Sequence, residues 1–246
     1  MCKAVSMTMD NKSNIYYFDL KIRKELCKSN PKDYEPDSHA SIADLFKLNE
    51  DKCDKFEIDF KNMTVVVDQS LTEITDKNKN KLQEFVNKKD KSFWRELVLN
   101  SHVLWIENNI AEWMFTDGTF SAPVATKLDC RNNQLTKLSA PVATTLFCNN
   151  NQITKLSAPV ATTFDCRNNQ LTKLRAPVAT WVDCSNNQLT KLNAPVATML
   201  ICSNNQLTKL SASVATTLDC SNNKLTDLSA PIATYLYCNN NPNFNF

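Results

Sequence analysis

The sequence predicts a small α+β domain followed by a parallel β solenoid, and three observations carry that prediction. Seven cysteines, Cys130, Cys148, Cys166, Cys184, Cys202, Cys220 and Cys238, stand 18 residues apart. Leu128, Leu146, Phe164, Val182, Leu200, Leu218 and Leu236 keep that step two residues earlier, and Asn133, Asn151, Asn169, Asn187, Asn205, Asn223 and Asn241 keep it three residues later. The first half has no such period, and its charge differs. Residues 1–124 carry 18 Lys/Arg against 21 Asp/Glu, whereas residues 125–246 carry 10 against 5. A strict short period makes each repeat one coil stacked on the next. The expected organisation is a capping domain over 1–120 and a solenoid of about seven coils over 121–246.

Within a coil the pattern reads A-x-x-L-x-C-x-x-N-x-L-T-x-L-x-A-P-V. Leu128 and Cys130 are two apart, so both point to one side of an extended strand, and that side is the interior. The intervening Asp129 points outward. The Asn three residues after each Cys falls where the chain leaves the strand; its amide can satisfy turn backbone groups that have no ladder partner. Stacked Asn side chains are also expected to bond to one another along the axis. Leu135, Leu138, Ala140, Val142 and their equivalents are expected to fill the rest of the core. Pro141, Pro159, Pro177, Pro195 and Pro231 are expected to hold the second half of each coil extended.

Composition narrows the function classes. The net charge of +2 calls for neither nucleic acid nor a membrane surface. No run of 18 apolar residues exists, and the start, MCKAVSMTMDNK, lacks the pattern of a secretory signal. With one Gly in 246 residues, Asn is expected to take the left-handed turn positions. Ten cysteines at such placements, three scattered (Cys2, Cys27, Cys53) and seven periodic, read as reduced core thiols of a cytoplasmic protein. Paired short Cys spacings are absent, so no metal and no cofactor is expected.

The run L-x-C-x-x-N-x-L-x-x-L-x-x-P resembles the leucine-rich repeat, close to the short type of bacterial effectors with extended convex sides. The match covers about 125–241. It departs in its shorter repeat and in placing Cys at an inner Leu position. Some such effectors carry a ubiquitin-ligase domain after the repeats; with the sequence ending at Phe246, that activity is not expected.

The resemblance implies that the outward strand positions form a concave face, and there the letters change. Before the inner Leu the row reads Lys127, Thr145, Thr163, Trp181, Met199, Thr217, Tyr235. Between Leu and Cys it reads Asp129, Phe147, Asp165, Asp183, Ile201, Asp219, Tyr237, and after Cys it runs from Arg131 through Arg167 to Asn239. The equally outward Lys137, Lys155, Lys173, Lys191 and Lys209 stay constant. Variation confined to one face points to a surface fitted to a protein or peptide. Trp181, Met199 and Ile201 would form one apolar anchor cluster, Tyr235 and Tyr237 a second, with Phe147 apart. The interspersed carboxylates oppose nucleic-acid binding. Pairing of the last strand, around Leu236 and Cys238, with a second copy would give a homodimer.

In the first half, CKAVSMTM and NIYYFDLKI read as a hairpin around DNKS. SHASIADLFKL reads as a helix capped by Ser38 with Ile42, Leu45 and Phe46 on one face. KFEIDF and TVVVD read as strands, and DKNKNKLQEFVNKKDKSFWREL as helix in two pieces. HVLWIENNIAEWMFTDGTF reads as strands turning at Asp117 and Gly118. Trp105, Trp113 and Phe115 are expected to cover the first coil, and Phe244 and Phe246 the last. The layout MCKA…IYY…SHASIADLFKL…FEIDF…VD resembles the amino-terminal domain of certain phage and prophage repeat proteins, which implies a viral or mobile-element origin and a host-cell partner. No phosphate loop or nucleophile–base pair is legible, so no catalytic residue is assigned. His39, in the first turn of a helix, is the residue on which the alternative reading, an enzyme delivered by the solenoid, would depend.

Overall fold

The computed structural model describes residues 5–26, 38–68, 76–114 and 116–242. Cys2, Cys27, Phe115, Phe244 and Phe246 lie outside the described residues. Two compact units are formed, Met1–Met114 and Phe115–Phe246.

The first unit is built on an antiparallel sheet in the order β2 (Ile15–Tyr16), β1 (Ser6–Met9), β3 (Asp54–Asp59), β4 (Thr64–Val67). The β1–β2 connection is the expected turn, in which Asp10 Oδ1 accepts from the backbone N–H groups of Lys12 and Asn14. The second expected strand ends early, because Leu20–Leu26 is a helix, α1. Asp19 starts it by accepting from the Ile22 N–H; a carboxylate at that position favours helix over a continued strand. Helix α2 (His39–Phe46) has the predicted cap, Ser38 Oγ accepting from the Ser41 N–H. Its inner face is Ile42 and Ala43, whereas Leu45 is 43% exposed and Phe46 is covered by Tyr16. Helices α3 (Asp76–Asn87) and α4 (Lys91–Leu99) divide at Asp90, whose carboxylate accepts from the Phe93 N–H. Leu82, Val86, Trp94 and Leu97 pack with Phe56, Ile58 and Phe60 as the core. A short strand, β5 (Val103–Trp105), follows, but Glu112–Met114 is a single 3-10 turn where a strand was expected.

The second unit is the solenoid. Its first ladder consists of β7 (Lys127–Asp129), β9 (Thr145–Phe147), β11 (Thr163–Asp165), β13 (Trp181–Asp183), β15 (Met199–Ile201), β17 (Thr217–Asp219) and β19 (Tyr235–Tyr237). Neighbours are parallel and in register at an offset of 18, residue for residue. Every coil has a second short strand: β6 (Thr119–Ser121), β8 (Lys137–Ser139), β10 (Lys155–Ser157), β12 (Lys173–Arg175), β14 (Lys191–Asn193), β16 (Lys209–Ser211) and β18 (Asp227–Ser229). This second ladder is divided into β6–β8–β10, β12–β14 and β16–β18. Gly118, at φ +70, makes the turn into the first of these, and a Cβ there would collide with Thr136 Oγ1.

Two turns close each coil. At the first, Asn132, Asn150, Asn168, Asn186, Asn204, Asn222 and Asn240 all take positive φ, the role expected of Asn where Gly is scarce. At the second, the Ala143 N–H donates to the Ala140 carbonyl, and the same bond recurs in later coils. Proline therefore occupies the second position of a tight turn, which its fixed φ favours, rather than extending the chain. The turn puts the flanking alanines inside and its tip outside. Val142, Val160, Val178, Val196, Val214 and Ile232 are 37–53% exposed, so this row, expected in the core, lies at the surface, and the Ala143 row fills its place.

The buried asparagines do not bond to one another. Asn187 Nδ2 donates to the carbonyls of Cys184 in its own coil and Cys166 in the preceding one, both at 3.0–3.1 Å, and its Oδ1 accepts from the Leu171 N–H at 3.0 Å. The same set recurs along the column from Asn151 to Asn241. Side-chain to side-chain bonds belong instead to the exposed left-handed row, as in Asn150 to Asn132 and Asn168 to Asn150.

The cysteine column is buried and every described cysteine is a free thiol. Desolvation first, then the neighbouring thiols, pushes Cys148, Cys166, Cys184 and Cys202 well above the ordinary thiol range. The thiolate is the reactive species, so a water-soluble disulfide reagent is expected to leave these sulfurs unmodified in the native state. Site-by-site mapping should find the seven column cysteines labelled after addition of denaturant and unlabelled before; rapid native labelling of Cys184 would contradict the packing described.

Replacing Asn187 by Ala strands a buried N–H and two buried carbonyls, so a loss of about 3–5 kcal/mol in urea unfolding is expected. Asn186→Gly should be nearly neutral at its positive φ, while Asn186→Val should cost about 1–2 kcal/mol.

Candidate functional site

The outward positions of the first ladder form straight columns because the strands are in register. Trp181 stands opposite Met199, and Asp183 opposite Ile201. Thr217 and Asp219 then separate that group from Tyr235 and Tyr237. Parallel neighbours lie about 4.8 Å apart, so Trp181, Met199 and Ile201 occupy one contiguous area. Met199 is exposed, Trp181 and Ile201 are half-buried, and Tyr235 and Tyr237 are the most exposed aromatics described here, at 59% and 53%. Phe147 is half-buried between Asp129 and Asp165, with the Arg131 guanidinium 5.9 Å from its ring centre.

The carboxylates of the face behave differently from a row of exposed charges. Asp129, Asp165 and Asp183 are only 2–5% exposed. Each is short and turns back onto its own coil. Asp129 is held by Arg131, Nε to Oδ1 at 2.9 Å and Nη2 to Oδ2 at 2.7 Å. Asp183 Oδ1 accepts from both the backbone N–H and the hydroxyl of Ser185, at 3.1 and 2.7 Å. Asp219 accepts from the Ser221 N–H in the same way. Arg167 spans two coils, with Nε 3.6 Å from Asp165 Oδ2 and Nη1 3.4 Å from Asp183 Oδ2.

Arg131 and Arg167 are thus partners of the acidic row. The pairing has a sequence signature that position-by-position reading passed over: Asp is always followed two residues later by Arg or Ser, in Asp129–Arg131, Asp165–Arg167, Asp183–Ser185 and Asp219–Ser221. Lys127 is exposed at the start of the ladder. Asn149, between the two arginines in its column, is 3% exposed, and its Oδ1 has no hydrogen-bond partner. Its burial could not be read from an otherwise ordinary outward position.

Elsewhere, His39 is buried with Nε2 3.0 Å from the Phe56 carbonyl and Nδ1 3.3 Å from Asp68 Oδ2. Both ring nitrogens thereby join α2 to the sheet. Among the described residues no group of three or more His, Cys, Asp or Glu could hold a metal ion. No helix of the described residues is long and apolar enough to cross a membrane.

Strand, buried asparagine, left-handed turn and second strand, repeated in register every 18 residues, define a leucine-rich-repeat solenoid. No protein-family model matches the chain, and no curated protein matches it. Among solved structures, YopM, a leucine-rich effector protein from Yersinia pestis, is similar at 25% identity and a TM-score of 0.49. The likeness covers 65% of this chain and 54% of that one. The chain therefore spans about half the length of that protein, and the fold assignment rests on the ladder register described above.

Burial, reinforced by the neighbouring Asp183 charge and only partly offset by the Arg167 N–H and guanidinium, pushes the Asp165 carboxyl up to about 6. The folded state thus binds this proton more tightly than the unfolded state. The resulting penalty is absent below about pH 4, grows as pH rises towards about 6, and is constant above. Asp165→Asn keeps the acceptor for the Arg167 N–H. It should raise stability by about 1–2 kcal/mol near neutral pH and lose that advantage near pH 4, as thermal melts at the two pH values would show.

Proposed function

We propose that the first-ladder face binds a protein or peptide, with Trp181, Met199 and Ile201 as the main anchor and Tyr235 and Tyr237 as a second. One observation carries this reading. The carboxylates and guanidinium groups of the face are engaged with one another, so what it offers to a partner is a set of aromatic and aliphatic side chains. Such anchors within a polar surround are the usual energetic centre of a protein interface. A host-cell protein is the partner that the amino-terminal resemblance implies.

Affinity capture from a host-cell lysate with two baits, the wild type and Trp181→Glu/Ile201→Glu, tests it. Both changes are at outward positions, so both baits should give the same circular dichroism. A protein retained by the wild type and reduced at least tenfold with the variant is the expected result. Equal capture by both would remove this face from the function.

A further inference from the structure

The charges of the solenoid are segregated by face. Its ten cations and five acids fall into two groups. Asp129, Asp165, Asp183 and Asp219 stand on the first ladder with Lys127, Arg131 and Arg167. The second-ladder side carries Lys137, Lys155, Lys173, Lys191 and Lys209 in one column, Arg175 one column over, Lys224 nearby, and Asp227 as its one acid. Lys155 is in register with Lys137, and Lys191 with Lys173. Like charges set opposite each other on neighbouring strands are unfavourable. Lys209 has a carboxylate at 3.7 Å, that of Asp227. Among the described residues, no acidic side chain pairs with Lys155, Lys173, Lys191 or Arg175. Stacked lysines facing solvent without counter-charges fit a partner that supplies negative charge.

Two further features lie beside this column. The exposed Val142-to-Ile232 row, with its prolines, forms an apolar ridge one turn further round each coil. Where the second ladder is interrupted between β10 and β12, a cleft of about 340 Å³ opens, lined by Leu156, Ser157, Ala158, Pro159, Arg175 and Pro177. The cleft joins the ridge to the basic side, since its lining combines two of the ridge prolines with Arg175.

We propose that this side of the solenoid docks on an anionic lipid surface. The lysine column contacts the phosphates, the Pro–Val ridge enters the interfacial layer, and the cleft beside Arg175 receives one headgroup phosphate. Basic residues alongside exposed apolar ones suit that interface. Nucleic acid fits less well: the rows around the lysines contain no aromatic residue on which a base could stack, and a phosphate backbone gives the valines no partner. The rows also repeat one residue type coil after coil, which suits a partner that is itself a repeating array. This surface is separate from the first-ladder face and does not depend on the function proposed for that face.

Co-sedimentation of the full chain with vesicles tests the assignment, using one part phosphatidylglycerol to two parts phosphatidylcholine against phosphatidylcholine alone. At about 0.1 M salt the chain should partition onto the anionic vesicles only, and less so as salt rises. Lys155→Gln/Lys173→Gln/Lys191→Gln should lower that partition roughly a hundredfold while leaving the thermal midpoint unchanged or higher. Val160→Ser/Val178→Ser/Val196→Ser should lower it several-fold without altering its salt dependence. No partition of the wild type onto anionic vesicles would overturn the proposal, as would partition unchanged in a folded lysine variant. Binding to a single-stranded oligonucleotide without vesicle partition would replace it with nucleic-acid recognition.

Discussion

The solenoid depends on one side chain per coil, the buried asparagine after each cysteine. Where the chain leaves the first ladder, two cysteine carbonyls in successive coils and one leucine N–H lack strand partners. A single carboxamide serves all three, donating twice and accepting once across the coil boundary. An amide does this neutrally; a carboxylate has no donor, and a hydroxyl is too short to span two coils. The staple also fixes the period, because an insertion in one coil would move its asparagine away from the preceding cysteine carbonyl. Buried backbone groups left without partners cost about 1–3 kcal/mol each, so successive coils are held to the same length.

That uniform period has a cost at the surface. Perfect register stacks like on like, which is favourable for cysteine, alanine and leucine inside but not for charges outside. The two faces meet the problem differently. On the first ladder the acids are interrupted by Phe147, Ile201 and Tyr237, and they are bound by arginines, serines and backbone N–H groups. On the second, the lysine column is left stacked, and among the described residues only Lys209, at its end, lies beside an acid. The difference is chemical: a carboxylate on a three-residue strand can fold back to accept from its own coil, whereas an ammonium on a long flexible stem reaches outward.

Much of this architecture was legible in the letters, because periodicity reports register directly. The coil length, the inner Leu–Cys pair, the columns on the outer face, the left-handed asparagines, the cap at Ser38 and the division of the later helix into two pieces follow from spacing and from local chemistry. Three things were not legible, for separable reasons. Val142 was assigned to the core from its apolar character, yet a Pro–Val pair between two alanines is a turn tip, and the smaller alanines go inside. The aspartates were read as exposed because alternation places them outward, but alternation gives direction and not depth, and each carboxylate folds back to accept from the N–H two residues on. In the first unit, Leu20–Ile22 was read as the end of a strand, and a cap at Asp19 decided for a helix that starts at Leu20.

The contrast between the faces bears on what each can recognise. A column that changes from coil to coil, such as Thr163, Trp181, Met199, Thr217, has a unique position along its length, so a partner can be held in only one place. A column that repeats lysine offers the same contact at every coil and sets no position along the axis. Recognition of a particular protein needs the first kind of surface; adhesion to a surface of equivalent headgroups needs no more than the second. Both come from one repeat because the stapled interior makes no demand on outward residues: the columns of one face could change while those of the other stayed fixed, without disturbing the hydrogen bonds that hold the coils together.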